Sequence, residues 1–395
     1  MKISDTTKIL IKDINNFKFK NDYFNIFINF INNNTAKYYK VITFLETFYK
    51  YYIYSLKHIQ RYFTNKDNKI KIIDKYCNSS NIIDFKYINN YLDNKFIGKN
   101  KEKIIQDINI KKIINLNNLH IEIYYNNNIR NIDNLIYNIF LIYNILKNIF
   151  KIREIKLNII IFYCDIKKQH YKKNKIIDFE NMNSGISYNN KIILFRQEEI
   201  LKVFIHELLH NFGVDNHNLS IVKKVKNIFK IDSDNLFNEG YIEFLAIIFH
   251  SLFVSSILSN SFNSMKKYFN IIINYEIIFS LIQLIKFLNI YNINFLDFLN
   301  NNNYKENTSA FSYIYLKFIL IFKYNLFFNY ILKYNKISLY NDDNIVIYIN
   351  YLIKNNYFVF LNNIIHNLKF FIKDYCKNNI IVCKNNKLSL FDFNF

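Results

Sequence analysis

Between residues 9 and 100 the apolar side chains fall at helical spacings, with Phe24, Phe27, Phe30 and Ile31 forming one stripe and Phe44, Phe48, Tyr51 and Tyr52 another. Steps of three and four place such residues on one helix face, which predicts a helical region with Asn and Lys on its solvated sides. The period then changes. Leu119–Tyr125 and Leu157–Tyr163 are compact runs of β-branched and aromatic residues, the mark of strands, and a helix is expected between them over residues 134–150. Another strand is expected over residues 186–195, with a turn or bulge signal at Asn189-Asn190. It leads into residues 200–212, which are apolar on nearly every side and so predict a buried helix. Glu198 and Glu199 are expected in its first turn, where the helix dipole favours them, and Gly213 supplies a residue suited to the left-handed C-terminal cap.

A short basic helix around residues 221–229 follows, and Asp232, Ser233 and Asp234 offer N-caps for the next helix, which carries Glu239 and Glu243. Helical spacing returns from residue 269 to the end, clearest over residues 276–288 and 309–322, with a loop at 300–303. The predicted class is α+β: a small mixed sheet packed on two buried helices, flanked by mainly helical regions. Boundaries are placed at 1–105, 106–258 and 259–395.

Composition changes this picture in one respect. The chain has no Pro, no Trp and only four Gly in 395 residues, so any small residue is worth locating. Gly185, Gly213 and Gly240 all lie beside the segments just described, and Ala246 sits two turns beyond Glu239. The net charge of +21 comes from 52 basic residues, of which only Arg61, Arg130, Arg153 and Arg196 are Arg. Lysine is spread along the chain without a nucleic-acid module, so non-specific attraction to anions is expected but no specific nucleic-acid partner. Cys77, Cys164, Cys376 and Cys383 form no CxxC pair, which argues against a cysteine-rich metal site and for buried thiols. No signal peptide is read at the N-terminus. The most membrane-like run, residues 244–258, is shorter than a span and contains His250, so no transmembrane segment is expected and the protein is placed inside the cell.

Candidate chemistry is concentrated in two segments. His206-Glu207-Leu208-Leu209-His210 is an HExxH motif, which on a helix sets two imidazoles one turn apart with a carboxylate beside them. Asn238-Glu239-Gly240-Tyr241-Ile242-Glu243 supplies a third ligand, because four-coordinate catalytic zinc takes three protein ligands and leaves one position open. His206, His210 and Glu239 are the expected ligands and Zn2+ the expected cofactor. Glu207 is the expected general base, and Glu243 the carboxylate that orients one of the imidazoles. Asp215 and His217 are competing third ligands, since they flank the position, Asn216, where HExxHxxGxxH has its last His. Tyr241, Tyr313, Tyr315 and Arg196 are candidate donors to a developing oxyanion. His250 and Met265 read as core residues.

At these residues the chain resembles the gluzincin metallopeptidases, in which HExxH is followed by a Glu-bearing helix. A wider stretch looks like uncharacterised proteins of large nucleocytoplasmic DNA viruses that are themselves read as metallopeptidases. The matching pieces are Asn183-Ser184-Gly185-Ile186-Ser187-Tyr188, Phe195-Arg196-Gln197-Glu198-Glu199, Lys202 through Glu207, Asn238 through Ala246, Glu276 through Leu281, and Glu306 through Tyr313. The resemblance implies a zincin-like core and peptide-bond hydrolysis. It also implies that the strand before the HExxH helix receives a peptide or protein substrate by strand addition, which makes Ile186, Ser187, Tyr188, Arg196 and Tyr313 candidate substrate contacts. The alternative expectation is a non-enzymatic viral structural or interaction protein that keeps this core and meets nucleic acid or membrane through its basic surface. If the chain is viral, it belongs in the host cytoplasm or the virion.

Overall fold

The computed structural model describes residues 2–18, 20–32, 38–64, 73–76, 85–92, 97–116, 118–129, 131–171, 175–215, 219–231, 236–300, 304–333, 344–376 and 385–394. Its strands are β1 (Lys2–Ile3), β2 (Ile73–Tyr76), β3 (Ile110–Leu116), β4 (Leu119–Tyr125), β5 (Leu157–Tyr163), β6 (Gly185–Tyr188), β7 (Lys191–Leu194) and β8 (Phe393–Asn394). Six of them form one mixed sheet in the order β2-β3-β4-β5-β7-β6, and β1 pairs with β8 apart from it. The class is α+β, as expected.

The sheet's centre is parallel, β4 with β5 and β5 with β7, and the outer pairs are antiparallel. Parallel strands are covered on both faces, which is why Leu157–Tyr163 reads as an almost unbroken apolar run. On one face Ile121, Ile123, Ile159, Ile161, Ile192 and Leu194 join the main core, against helices Ile132–Phe150 and Ile200–Asn211. On the other, Tyr124, Ile160, Phe162, Ile193 and Phe195 meet Ile88, Leu92, Ile97, Ile104 and Ile108 in a second core. β2 therefore extends the sheet from within the region read as helical.

Residues 186–195 fold as a tight hairpin rather than one strand. Asn189 and Asn190 have φ of 47° and 58°, the left-handed pair that a two-residue turn matching strand twist requires. β6 is thereby turned back to end the sheet, and it lies against the HExxH helix, Ile200–Asn211. Glu198 and Glu199 stand before that helix instead of in its first turn. Glu199 is the N-cap, at φ 59°, and its carboxylate accepts hydrogen bonds from Lys168 Nζ and from the backbone N–H groups of Leu388 and Ser389. The capping residues proposed at 232–234 and the loop at 301–303 lie outside the described residues, as do the side chains of Cys77, Cys376 and Cys383. Cys164 is buried and free.

One expectation is corrected. The sequence reading counted only residues 244–258 as membrane-like and so expected no transmembrane segment. The helix carrying Glu239 instead runs over Leu236–Ile257, and a second spans Phe262–Tyr291. Over Asn238–Ile257 and Phe262–Tyr291 both are long and apolar enough to cross a bilayer, with mean hydropathy of 1.6 and 1.8. Twenty residues at about 1.5 Å rise reach about 30 Å, a hydrocarbon thickness. The bent pair Ser312–Phe322 and Tyr324–Leu332 meets the same criterion if taken as one span. Glu239, Glu243 and His250 in the first helix make its apolar run look shorter. In this fold those apolar windows are 94% and 83% covered by protein.

Candidate metal centre

Two helices and one turn build the site. The HExxH helix presents His206 and His210 on one face, with ring centroids 4.8 Å apart. The helix Leu236–Ile257 packs beside it and directs Glu239 at both imidazoles. His206 Nε2 and His210 Nε2 are 3.1 Å apart, and Glu239 Oε2 is 3.4 Å from the first and 3.5 Å from the second. Zinc bonds of about 2.0–2.1 Å in a tetrahedron set ligand atoms about 3.3 Å apart, so the three edges suit that ion. Two imidazoles and one carboxylate are also a donor set that zinc accepts readily.

Each imidazole is aimed from behind. His206 Nδ1 is 2.9 Å from Glu243 Oε2, and His210 Nδ1 is 2.5 Å from Asp215 Oδ2. With Nδ1–H donated to a carboxylate, each ring keeps its Nε2 lone pair for the centre. Glu243 thus orients His206, one of the two imidazoles considered for it. Asp215, read as a competing ligand, instead orients His210 from the far side of the ring. His217 lies outside the described residues.

The electrostatics follow from packing. Burial opposes charge on His206 and His210, but the Glu239, Glu243 and Asp215 carboxylates outweigh it and hold both pKa values above the ordinary imidazole range. Burial likewise works against an ionised Glu239, and the two histidines reverse it, leaving its pKa well below the usual carboxylate value. Protons and a metal ion therefore compete for the same atoms. Glu207 differs: burial pushes its pKa up, the nearby Glu239 charge adds to this, and the histidines and a hydrogen bond from Ser187 only partly offset it.

The rare glycines have specific jobs here. Gly185 brings β6 close over Glu207, and Gly240 lets the Glu239 helix pack on Leu316, whose side chain would lie 3.0 Å from an added Cβ. Leu316 belongs to a π-helical turn, Ser312–Leu316, an irregularity often found at functional sites. That turn delivers Tyr313, whose hydroxyl donates to Glu239 Oε2 at 2.9 Å and whose ring lies edge-on to His206 at 5.9 Å.

The other candidate donors are elsewhere. Tyr315 donates to the Phe295 carbonyl, and Tyr241 is buried among Phe244 and Phe327. Arg196 is 1% exposed and spends its guanidinium on the carbonyls of Ile166, Glu180 and Asn183, tying the loop at Ile166 to the short helix Phe179–Met182 and its C-cap. Ile186 packs on the second core and Tyr188 is exposed, so of the β6 candidates it is Ser187 that touches the site.

No family model and no solved structure matches the chain. Over 108 residues it is 32% identical to an uncharacterised protein of Acanthamoeba polyphaga mimivirus, a stretch covering 26% of this chain and 27% of that protein. The chain thus has a viral relative, of whose length the match spans about a quarter.

Proposed function

We propose that this protein is a zinc-dependent peptidase with a zincin-like core, in which His206, His210 and Glu239 hold the metal and Glu207 is the general base. The observation that carries the reading is the triangle of ligand atoms with edges of 3.1, 3.4 and 3.5 Å, with the Glu207 carboxylate near enough to interact with all three groups. A purely structural zinc site has no need of that carboxylate.

A bound zinc supplies Lewis acidity, making a water acidic and a carbonyl electrophilic. Glu207 takes the attacking water's proton on its carboxylate and passes it to the leaving amine. Burial, by raising its pKa, brings it closer to the range where one group serves as base and then as acid. The Ser187 hydroxyl lies beside that carboxylate and favours its ionised form. β6, at the sheet's end, is the strand on which a substrate peptide adds by backbone hydrogen bonds, next to Ser187 and Glu207. Tyr313 keeps its proton, because burial and the Glu239 charge raise its pKa well above the usual phenol value, and its single O–H, given to Glu239 in this structure, is the donor that would turn to an oxyanion.

The test is Glu207→Gln with metal content and a peptide-library digest measured together. The variant is expected to retain zinc and lose cleavage, and undiminished cleavage contradicts the assigned base.

A further inference from the structure

Lys202 lies one turn before His206 on the same helix and is 2% exposed. Its ammonium sits 2.5 Å from Glu243 Oε1, and the other oxygen of that carboxylate lies 2.9 Å from His206 Nδ1. The helix is otherwise apolar at nearly every buried position, and a Leu or Met would fill this one without the cost of a buried charge. Lysine here is therefore unexplained by packing alone.

Two other carboxylates lie within electrostatic reach of Lys202, and both are engaged elsewhere. Glu199 accepts from Lys168 Nζ and from the backbone of Leu388 and Ser389, and Glu276 accepts from Ser389 Oγ and the N–H groups of Leu390 and Phe391. Lys202 is thus committed to Glu243.

We propose that Lys202 is a positioning residue of the metal centre: by clamping one oxygen of Glu243 it aims the other at His206 Nδ1, fixing the tautomer whose Nε2 faces His210 and Glu239. A carboxylate held at one oxygen only could rotate, and His206 would lose its orientation. This rests on the metal-centre reading and adds a third layer to it, from ligand to carboxylate to lysine. His210 gives an internal contrast, because its partner Asp215 belongs to a different segment that Lys202 does not touch.

The experiment measures zinc affinity of the full chain by competition with a chromophoric chelator in the wild type, Lys202→Met, Glu243→Gln and the double variant. Urea unfolding of each metal-free protein is followed in parallel. Lys202→Met is expected to weaken zinc binding roughly 10 to 100-fold, as loss of an outer-layer partner does. Because that variant takes the lysine charge from a buried carboxylate, it is read together with the double variant, which removes both charges. If Lys202 acts through Glu243, the double variant binds zinc within about threefold of Glu243→Gln alone, since both changes cut one chain of contacts. A further tenfold loss in the double variant, or a Lys202→Met protein that is less stable yet binds zinc as the wild type does, overturns the proposal. A wild type that binds no zinc refutes the metal centre itself.

Discussion

Gly185 stands so close to Glu207 that a Cβ on the glycine would lie 2.9 Å from Glu207 Cγ and 3.0 Å from Oε1, and 2.7 Å from Val203 Cγ1. The strand proposed to receive substrate and the carboxylate proposed as base are therefore packed with no room for a methyl group. Gly185→Ala should displace one or the other, at an over-packing cost of about 1–3 kcal/mol. Zinc content is expected to stay at the wild-type level while kcat falls at least tenfold, because the ligands are untouched. An unchanged kcat in steady-state peptide hydrolysis would show that Glu207 need not sit where the strand holds it.

The contact between His210 and Asp215 separates two roles for the aspartate. As an orienting partner, Asp215→Asn should weaken zinc by roughly 10 to 100-fold and leave stoichiometric binding at saturating metal. As a ligand, it would abolish that binding. A zinc titration followed by chelator competition distinguishes the two, and loss of the stoichiometric site would displace Glu239 from the ligand set.

Tyr313→Phe removes one hydroxyl from the π-helical turn. Zinc affinity should change little, KM should change little, and kcat should drop by roughly 100-fold, the scale for losing an oxyanion donor. Equal kcat in the variant and the wild type would assign the tyrosine to holding Glu239 alone.

His250 offers a pH test away from the metal ligands. It is 2% exposed, Nδ1 has no hydrogen-bond partner among the described residues, and burial, followed by the Lys202 charge, lowers its pKa from 6.5 to about 3. Between those values the unfolded chain takes up a proton that the folded chain refuses, so stability falls as pH drops through that window. His250→Leu should make the dependence shallower by about one proton, ~1.4 kcal/mol per pH unit at most. Urea unfolding from pH 7 to 4 that gives parallel slopes for both proteins excludes His250 as the source.

That His206 and His210 share one helix face was legible in the sequence because HExxH is a local pattern: a helix alone sets their spacing. Strands β4 and β5 were legible with their observed bounds because Ile, Tyr and Phe dominate both, with His120 and Glu122 the polar positions in β4 and Asn158 the one in β5. β3 was missed, since Lys111, Lys112 and Asn115 blend into a chain crowded with Lys and Asn. The contact of Asp215 with His210 Nδ1 was not legible, because it is decided by the turn after Gly213, at φ 68°, rather than by sequence distance. Arg196 looked like a substrate contact, yet its partners are three backbone carbonyls, which carry no sequence signal. The apolar reach of the Glu239 helix was underestimated because Glu239, Glu243 and His250 break the apolar run while leaving the helix intact.

The central claim is that His206, His210 and Glu239 hold one metal ion. Elemental analysis of the purified wild type, His206→Ala, His210→Ala and Glu239→Ala chains tests it directly. About one zinc per wild-type chain and essentially none in each variant is the predicted result, with the variants still folded by circular dichroism. Equal zinc in all four proteins, or none in a folded wild type offered the metal, would contradict it.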